Sequence, residues 1–467
     1  MNRSVSWLIV RVWSPKAWPL VFALLAIGLG LALGLAMVSP QATAVASVTF
    51  VVFFLFISAR DPLSGLLIWI VTQPLLDAYA NISLGASIPD LSPTRICIAF
   101  LTSLMLLRSA IGLFKLASFT WTDGVALLFI YGLSLSALAV TEGWRSLQVS
   151  FDQQIAAVLV YFLAKNLVRS RNDIGKVLAA LVILGAFVGA YAIYEQTTGH
   201  VLLPVATHGR VVYGDSGLRI LRGLLGHPHH FGRILGVALP VTFYLFFKER
   251  RLAMRVLYML ILAVMMIGMY LTFRRTAWIA ALTSFFLIQL FYPQFRRWFL
   301  VLVTVTSVAL YFNWDAFEDS AVSTRVQSGD TATLNGRTEG WDYAIELWGR
   351  QPITGHGYGQ FTRIARAEGR RDTAVESQYF NILVSTGLVG FVPYIALLVL
   401  LPLSFIPLFR QTHDLSARWM AVVYWGAHVN FIVNAYTGDV NHVLPTAVLL
   451  VLAGALTRLT FPSATAA

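Results

Sequence analysis

Residues 378–409 read QYFNILVSTGLVGFVPYIALLVLLPLSFIPLF, without a single Asp, Glu, Lys or Arg. A second uncharged run extends from Trp18 to Val38. An α-helix needs about 20 apolar residues to cross a hydrocarbon core of about 30 Å, so both runs are long enough to span a membrane. Of the 467 residues, 57% are hydrophobic and 12% are charged, whereas soluble proteins are about 25% charged. The apolar runs are continuous, while barrel strands alternate. The sequence therefore predicts an all-α polytopic membrane protein.

Apolar segments recur along the whole chain, and each one is a candidate transmembrane helix. Some are short or interrupted, such as 62–79 with Pro74 inside it, and these are candidates for re-entrant segments. We therefore expect about 12–14 transmembrane helices. The fourteen segments are 18–38, 43–58, 62–79, 94–114, 120–140, 151–168, 176–195, 231–247, 252–272, 276–293, 298–312, 387–409, 418–437 and 440–458.

The distribution of lysine and arginine predicts the orientation of these segments. With both termini in the cytoplasm, all five lysines fall on the cytoplasmic side, as the positive-inside rule requires. The net charge of +12 then reflects cytoplasmic loops rather than nucleic-acid binding. The opposite side receives fifteen basic residues, all of them arginine, and arginine suits planar, bidentate recognition of phosphate or carboxylate. A chain with 29 Arg and five Lys also shows this bias without any such function.

Two predicted outer loops, about 196–230 and 313–377, are longer than simple turns and are therefore candidate functional elements. The second loop contains a helical pattern over Thr338–Gly349, which we expect Asn335 and Gly336 to open. The chain divides into N-terminal transmembrane helices (1–195), transmembrane helices with the first outer loop (196–312), the long outer loop (313–377) and C-terminal transmembrane helices (378–467).

Arginines mark two of the outer turns. Arg274 and Arg275 lie in a short turn between two spans, where charges are costly unless they are paired or reach the lipid headgroups. Arg219 and Arg222 are three residues apart and would share a helix face. The segment GLLGHP (223–228) follows them, and its glycines and proline would end that helix and leave backbone N–H groups open to an anion. These arginines are candidate anion ligands.

His227, His229 and His230 allow a metal site as an alternative. Pro228 disrupts any i, i+4 pair among them, and no carboxylate with ligand spacing stands nearby. We therefore predict an interfacial loop without a metal.

The long loop ends with further candidates. Gly355, Gly357 and Gly359 alternate, which would let the backbone approach a ligand closely, and no Lys-Ser/Thr follows to indicate nucleotide binding. Glu376 precedes an apolar stretch, where it is a candidate proton acceptor. The alternative is that Glu376 lies in the first turn of a helix, where the helix dipole stabilises its negative charge.

In their order along the chain, these pieces resemble the O-antigen ligase and polymerase superfamily of bacterial envelope glycosyltransferases. The resemblance covers about residues 219–390. Family ligases place a His where this chain has Glu376, which favours a polymerase of exopolysaccharide or a ligase for another acceptor. The matching residues are the Arg-rich segment before Gly-x-x-Gly-His-Pro (Arg219–Pro228), the Arg274-Arg275 turn, Gly336-Arg337 with Trp341, Pro352 with Gly355, Gly357 and Gly359, and Ser377 with Gly387 and Gly390.

The resemblance implies an enzyme of the bacterial inner membrane whose active site faces the periplasm. It would move a glycan from an undecaprenyl diphosphate donor to a sugar hydroxyl on a glycan or glycolipid acceptor, without cofactor or metal. Arg275 would be the main ligand of the diphosphate, because the leaving group becomes more negative in the transition state. Further contacts would come from Arg219, Arg222, Arg274 and Arg337. Glu376 would accept the proton of the acceptor.

A transporter or flippase of lipid-linked or anionic solutes is the main alternative function. Such proteins place ionisable residues near the middle of their spans. The candidates in this sequence concentrate at the outer boundary and in one loop, which favours chemistry outside the cytoplasm.

Overall fold

A computed structural model describes residues 40–79, 92–141, 143–200, 221, 224–292, 295–297, 300, 304, 331–370, 375–411, 414–438 and 442–460. These residues form helices and turns, with no strand among them. The helices are α1 (Pro40–Arg60), α2 (Pro62–Tyr79), α3 (Pro93–Ala110), α4 (Trp121–Leu138), α5 (Gly143–Ser150), a π-helical turn (Phe151–Ile155), α6 (Ala156–Leu167), α7 (Arg171–Thr198), α8 (Pro228–Lys248), α9 (Leu252–Tyr270), α10 (Arg275–Phe291), α11 (Thr331–Arg350), α12 (Phe361–Ala367), α13 (Gln378–Leu403), α14 (Ile406–Arg410), α15 (Leu415–Tyr436) and α16 (Val443–Thr460).

The prediction of an all-α polytopic membrane protein is confirmed. Seven helices in the described ranges are long and apolar enough to cross a membrane, and three shorter apolar helices accompany them. Of the fourteen predicted segments, 18–38 lies outside the described residues, and 298–312 lies largely outside them. Each of the other twelve coincides with a helix. Pro74 does not interrupt its segment, because α2 continues through it to Tyr79.

Helices approach closely where glycine removes the side chain. A Cβ on Gly132 of α4 would lie 2.6 Å from the carbonyl oxygen of Val389 in α13. A Cβ on Gly268 of α9 would lie 2.6 Å from the Cα of Gly189 in α7. Small residues of this kind let membrane helices pack through van der Waals contact, since the lipid supplies no hydrophobic drive between helices. The two crossings fix α4 against α13 and α7 against α9.

Polar contacts concentrate at the ends of the bundle. At one end, Lys165 of α6 forms a buried ion pair with Asp123 of α4, and Arg171 pairs with Asp414. The sequence assigns both pairs to the cytoplasmic side. The opposite helix ends carry the residues assigned to the outer side, and the candidate active site lies there.

The helix of the long loop starts earlier than predicted. The structure begins α11 at Thr331, so Asn335 and Gly336 lie inside it and do not open it. A glycine inside a helix costs only about 1 kcal/mol relative to alanine. The packing of Tyr343 and Leu347 against Phe361 in a separate small core holds the helix in place.

Candidate active site

Glu376 and Arg337 meet although 39 residues separate them. Arg337 Nε donates to Glu376 Oε2 at 2.6 Å. Helix α13 begins at Gln378, with Ser377 in the preceding cap position, so Glu376 lies before the first turn and not within it. The side chain of Glu376 is 41% exposed and that of Arg337 is 16% exposed. The pair holds a carboxylate in a fixed orientation at a surface that a substrate can reach.

Aromatic contacts bring α11 to this position. Trp341, one turn after Arg337, stacks on Phe380 with ring centroids 5.5 Å apart. The same indole packs against Tyr436, at the end of α15, with centroids 5.3 Å apart. The loop helix is therefore anchored to two membrane helices beside the ion pair. Arg337 and Trp341 are four residues apart within α11 and so share a helix face.

The far end of α11 is held by charged and phenolic groups. Tyr343 OH donates to Glu368 Oε2 at 2.9 Å, and Arg350 Nη1 donates to Glu368 Oε1 at 2.5 Å. Burial and the Glu368 hydrogen bond raise the pKa of Tyr343 to about 12. The Arg350 hydrogen bond, followed by that of Tyr343, lowers the pKa of Glu368 below its ordinary value. These contacts join α11 to the turn after α12.

Arg233 is a buried guanidinium that the sequence analysis missed. Its Nη1 donates to Gln378 Oε1 at 3.1 Å, and its Nη2 donates to the carbonyl of Asn434 at 3.0 Å and to that of Gly438. The side chain lies over the ring of Phe431. Arg233 therefore ties the start of α13 to the end of α15. The signal was an arginine inside an apolar span, which is rare without a function or partner.

Histidines line the start of α8 next to this arginine. His227 caps the helix, its Nδ1 accepting from the backbone N–H of His229 at 3.3 Å, and the two rings stack with centroids 4.7 Å apart. A Cβ on Gly438 would lie 3.1 Å from the ring of His229. The ring of His230 lies 5.7 Å from that of His442. Within the described ranges, no group of three or more His, Cys, Asp or Glu could hold a metal ion.

The Arg274-Arg275 turn is the short connection that the sequence predicts. Arg274 occupies the cap position before α10, and Arg275 is the first residue of that helix. Trp278 Nε1 donates to the carbonyl of Met269 at 3.0 Å, which closes the turn. Both arginines are half-buried, and Arg274 is close enough to His229 to interact with it electrostatically. The turn thus lies at the same end of the bundle as the Glu376–Arg337 pair.

The glycine loop meets α13 where that helix is broken. Gly387 has φ 56° and ψ −160°, so the helical hydrogen bonds stop there. The loop supplies replacements, with the backbone N–H of His356 donating to the carbonyl of Val384 at 3.0 Å and that of Gly357 donating to Ser385 at 2.8 Å. A membrane-spanning helix has no water to satisfy such freed groups, and protein donors must do so.

The donors beyond the break are satisfied by the same loop. The N–H of Leu388 donates to the carbonyl of Pro352 at 2.9 Å, and the N–H of Val389 donates to Ile353 at 3.1 Å. The segment Pro352–Gly359 and the part of α13 around Gly387 and Gly390 thus form one structural unit. Sequence spacing alone did not indicate this pairing.

The three loop glycines have positive φ, at 67° for Gly355, 84° for Gly357 and 77° for Gly359. A Cβ on Gly355 would lie 2.5 Å from the backbone nitrogen of Gly387. The close approach that the alternating glycines predict is therefore made within the protein: Gly355 meets α13, whereas Gly357 and Gly359 meet side chains in or just before α5. From Gln378 to Gly387 the helix rises about 14 Å, so the unit stands apart from Glu376. A ligand contact for these glycines stays a prediction.

Arg219 and Arg222 lie outside the described residues. Their proposed role in holding the diphosphate stays a prediction.

The sequence model of the family described as O-antigen ligase matches residues 260–395. This match supports the resemblance of the chain to the O-antigen ligase and polymerase superfamily. The matched range runs from within α9 to within α13 and contains the Arg274-Arg275 turn, the Glu376–Arg337 pair and the glycine loop. No curated protein matches the chain. The O-antigen ligase domain supports a ligase- or polymerase-type function in polysaccharide assembly.

Proposed function

We propose that this protein is an inner-membrane glycosyltransferase that takes a glycan from a polyprenyl diphosphate, such as undecaprenyl diphosphate, and joins it to a sugar hydroxyl of a glycan or glycolipid acceptor. The active site faces the periplasm. The observation that carries the proposal is the contact between Glu376 and Arg337 at the bundle end that also holds the Arg274-Arg275 turn.

In the proposed reaction, the acceptor oxygen forms a bond to the anomeric carbon of the donor while the bond from that carbon to the diphosphate oxygen breaks. The diphosphate leaves with the bonding electrons, and the acceptor proton passes to the carboxylate of Glu376. Arg275 and Arg274 stabilise the charge on the leaving group, since guanidinium groups bind phosphate oxygens in pairs. Arg337 orients the carboxylate.

The orientation of the bundle supports a periplasmic site. Lys165 and Arg171 lie at the opposite end from Glu376, and the positive-inside rule assigns such basic ends to the cytoplasm. A lipid-linked donor on the outer leaflet would reach the site from between the helices. No step in the proposal requires a metal, so transfer should persist in excess chelator.

The test uses a strain from which the gene is deleted and to which the wild-type or variant gene is returned on a plasmid. Loss of the protein should remove a surface polysaccharide and leave its glycan on the lipid carrier. Arg275→Ala should fail to restore the polysaccharide although the variant reaches the membrane. Normal polysaccharide in that variant would remove Arg275 from the mechanism. Accumulation of the lipid-linked glycan on the cytoplasmic leaflet would instead support a flippase.

A second pair of variants tests the proton acceptor. Glu376→Gln keeps the shape of the side chain but cannot accept a proton at neutral pH, whereas Glu376→His can. We expect the glutamine variant to lose at least about 100-fold in transfer rate, the lower end of what a general base contributes. The histidine variant should retain measurable transfer. Equal loss in both variants would exclude Glu376 as the base.

A further inference from the structure

A second polar group lies at the same bundle end, on helices that the family match does not cover. Arg95 Nε of α3 donates to Asp152 Oδ1 at 2.7 Å, and a second bond joins Arg95 Nη2 to Asp152 Oδ2. With its amide oxygen turned toward the guanidinium, Gln148 accepts from Arg95 Nη1 at 2.9 Å. Arg95 is 21% exposed and Asp152 is 34% exposed. A ligand can therefore reach this group.

One of these side chains lies on an irregular turn of the helix. Asp152 lies in the π-helical turn Phe151–Ile155, and π-helical turns inside α-helices occur frequently at functional sites. Gln148 and Trp144 precede Asp152 by four and eight residues and so share its side of the helix. The indole of Trp144 is 75% exposed. Trp144 therefore presents an exposed aromatic ring about two helical turns before Asp152, with Gln148 one turn from each.

The glycine loop connects this helix to the break in α13. Gln154, in the same π-helical turn, donates to the hydroxyl of Tyr358 at 3.1 Å. A Cβ on Gly357 would lie 2.9 Å from the hydroxyl of Ser146 in α5. The loop that repairs the break in α13 therefore also supports the helix that carries Asp152.

The charges decide which ligand suits this group. Asp152 neutralises Arg95, so the pair has no net charge to attract a phosphate. Arg95 uses its donors mainly within the group, whereas carboxylate oxygens can each accept a further hydrogen bond and the Gln148 amide carries N–H donors. Acceptors and donors side by side complement a sugar with neighbouring hydroxyls. An exposed indole presents a large, rigid apolar face with a polar edge, and the apolar face of a sugar ring can stack on it.

We propose that Trp144, Gln148, Asp152 and Arg95 form a carbohydrate subsite that holds a neutral sugar of the glycan during transfer. The proposal rests on the proposed function, since it names where that enzyme grips its glycan. It requires the hydroxyls of the sugar to bind the exposed edges of the Arg95–Asp152 pair while the ring lies on Trp144.

Binding can be measured without transfer. The probe is the oligosaccharide repeat unit released by mild acid from the surface polysaccharide of the host, free of lipid and diphosphate. The full-length protein in lipid nanodiscs should show saturation-transfer signals from this oligosaccharide. Asp152→Asn and Trp144→Leu should each weaken binding by about tenfold or more. Wild-type protein without binding, or wild-type affinity in both variants, would overturn the proposal.

Exchanging the two charged residues distinguishes a pair that binds sugar from a pair that only joins two helices. Arg95→Asp combined with Asp152→Arg restores an ion pair but reverses the positions of donors and acceptors. We expect the double variant to keep its thermal stability and still bind the oligosaccharide weakly. Recovery of wild-type affinity in the double variant would show that the pair only joins two helices.

The opposite end of the bundle supplies matched controls. Arg171–Asp414 is an inter-helix ion pair with one exposed partner, and Trp121 is 89% exposed at the start of α4. Arg171→Gln and Trp121→Leu should leave oligosaccharide binding unchanged, and equal losses there would overturn the proposal. Glu376→Gln should bind the oligosaccharide normally. Binding in that variant together with full transfer would refute the role of Glu376 but leave the subsite standing.

Discussion

Replacing Gly355 with alanine should destabilise the protein much more than replacing Gly369, although both glycines have positive φ. The values are 67° for Gly355 and 76° for Gly369, so each alanine meets the same backbone strain of about 1–3 kcal/mol. The surroundings differ. A Cβ on Gly369 has nothing within 4 Å, whereas a Cβ on Gly355 lies 2.5 Å from backbone atoms of Ser385 and Gly387.

The collision at Gly355 must move the loop away from the break in α13. The N–H groups of His356 and Gly357 would then lose their bonds to Val384 and Ser385. A buried polar group without a partner costs about 1–3 kcal/mol, so two lost bonds add about 2–6 kcal/mol. The total for Gly355→Ala is about 3–9 kcal/mol, against about 1–3 kcal/mol for Gly369→Ala.

Cys97 provides the assay, since it is the only cysteine of the chain and is fully buried. A thiol-reactive fluorophore labels it only when the bundle opens, so a temperature ramp reports unfolding. At an entropy of about 2.1 cal/mol/K per residue, 1 kcal/mol corresponds to about 1 °C for a chain of this length. The Gly355 variant should lose about 3–9 °C and the Gly369 variant about 1–3 °C. Equal shifts in the two variants would refute the idea that the loop completes the broken helix.

The remaining predictions concern the ion pairs and the buried arginine. Arg337→Gln should lower glycan transfer at least tenfold, because Glu376 loses the group that orients it, while Arg337→Lys should recover part of the rate. The test compares the transfer rates of the two variants at equal expression; equal rates would contradict this role of Arg337. The pKa of Glu368 is lowered mainly by Arg350, so the stability from this pair is complete above the ordinary glutamate pKa of about 4.3 and is lost as the pH falls below it. Limited proteolysis of the long loop should therefore accelerate below about pH 4, and Glu368→Gln should abolish that pH dependence. Arg233→Met should lower the Cys97 labelling temperature by about 5–9 °C, because three hydrogen bonds from a charged donor are lost. An unchanged temperature would show that these bonds contribute no net stability.

Much of the helical architecture follows from the sequence alone. A run such as 378–409 must become a helix in a membrane, because the lipid offers its backbone no other hydrogen-bond partner. The same reasoning located α8 and α9. The lysine distribution predicts which end of the bundle faces the cytoplasm, and that orientation stays a prediction. The residue pattern also predicted a helix over Thr338–Gly349, which lies within α11 of the structure.

The tertiary structure decided which distant residues meet. Sequence spacing cannot show that Arg337 pairs with Glu376, because the contact depends on where Trp341 anchors α11. Nor can it show that the glycine loop fills a break in α13, since Gly387 looks like any small residue in an apolar run. The Arg95–Asp152 pair joins helices far apart in the chain. Local pattern determines helices through hydrogen bonding within one segment, whereas sites arise from packing between segments.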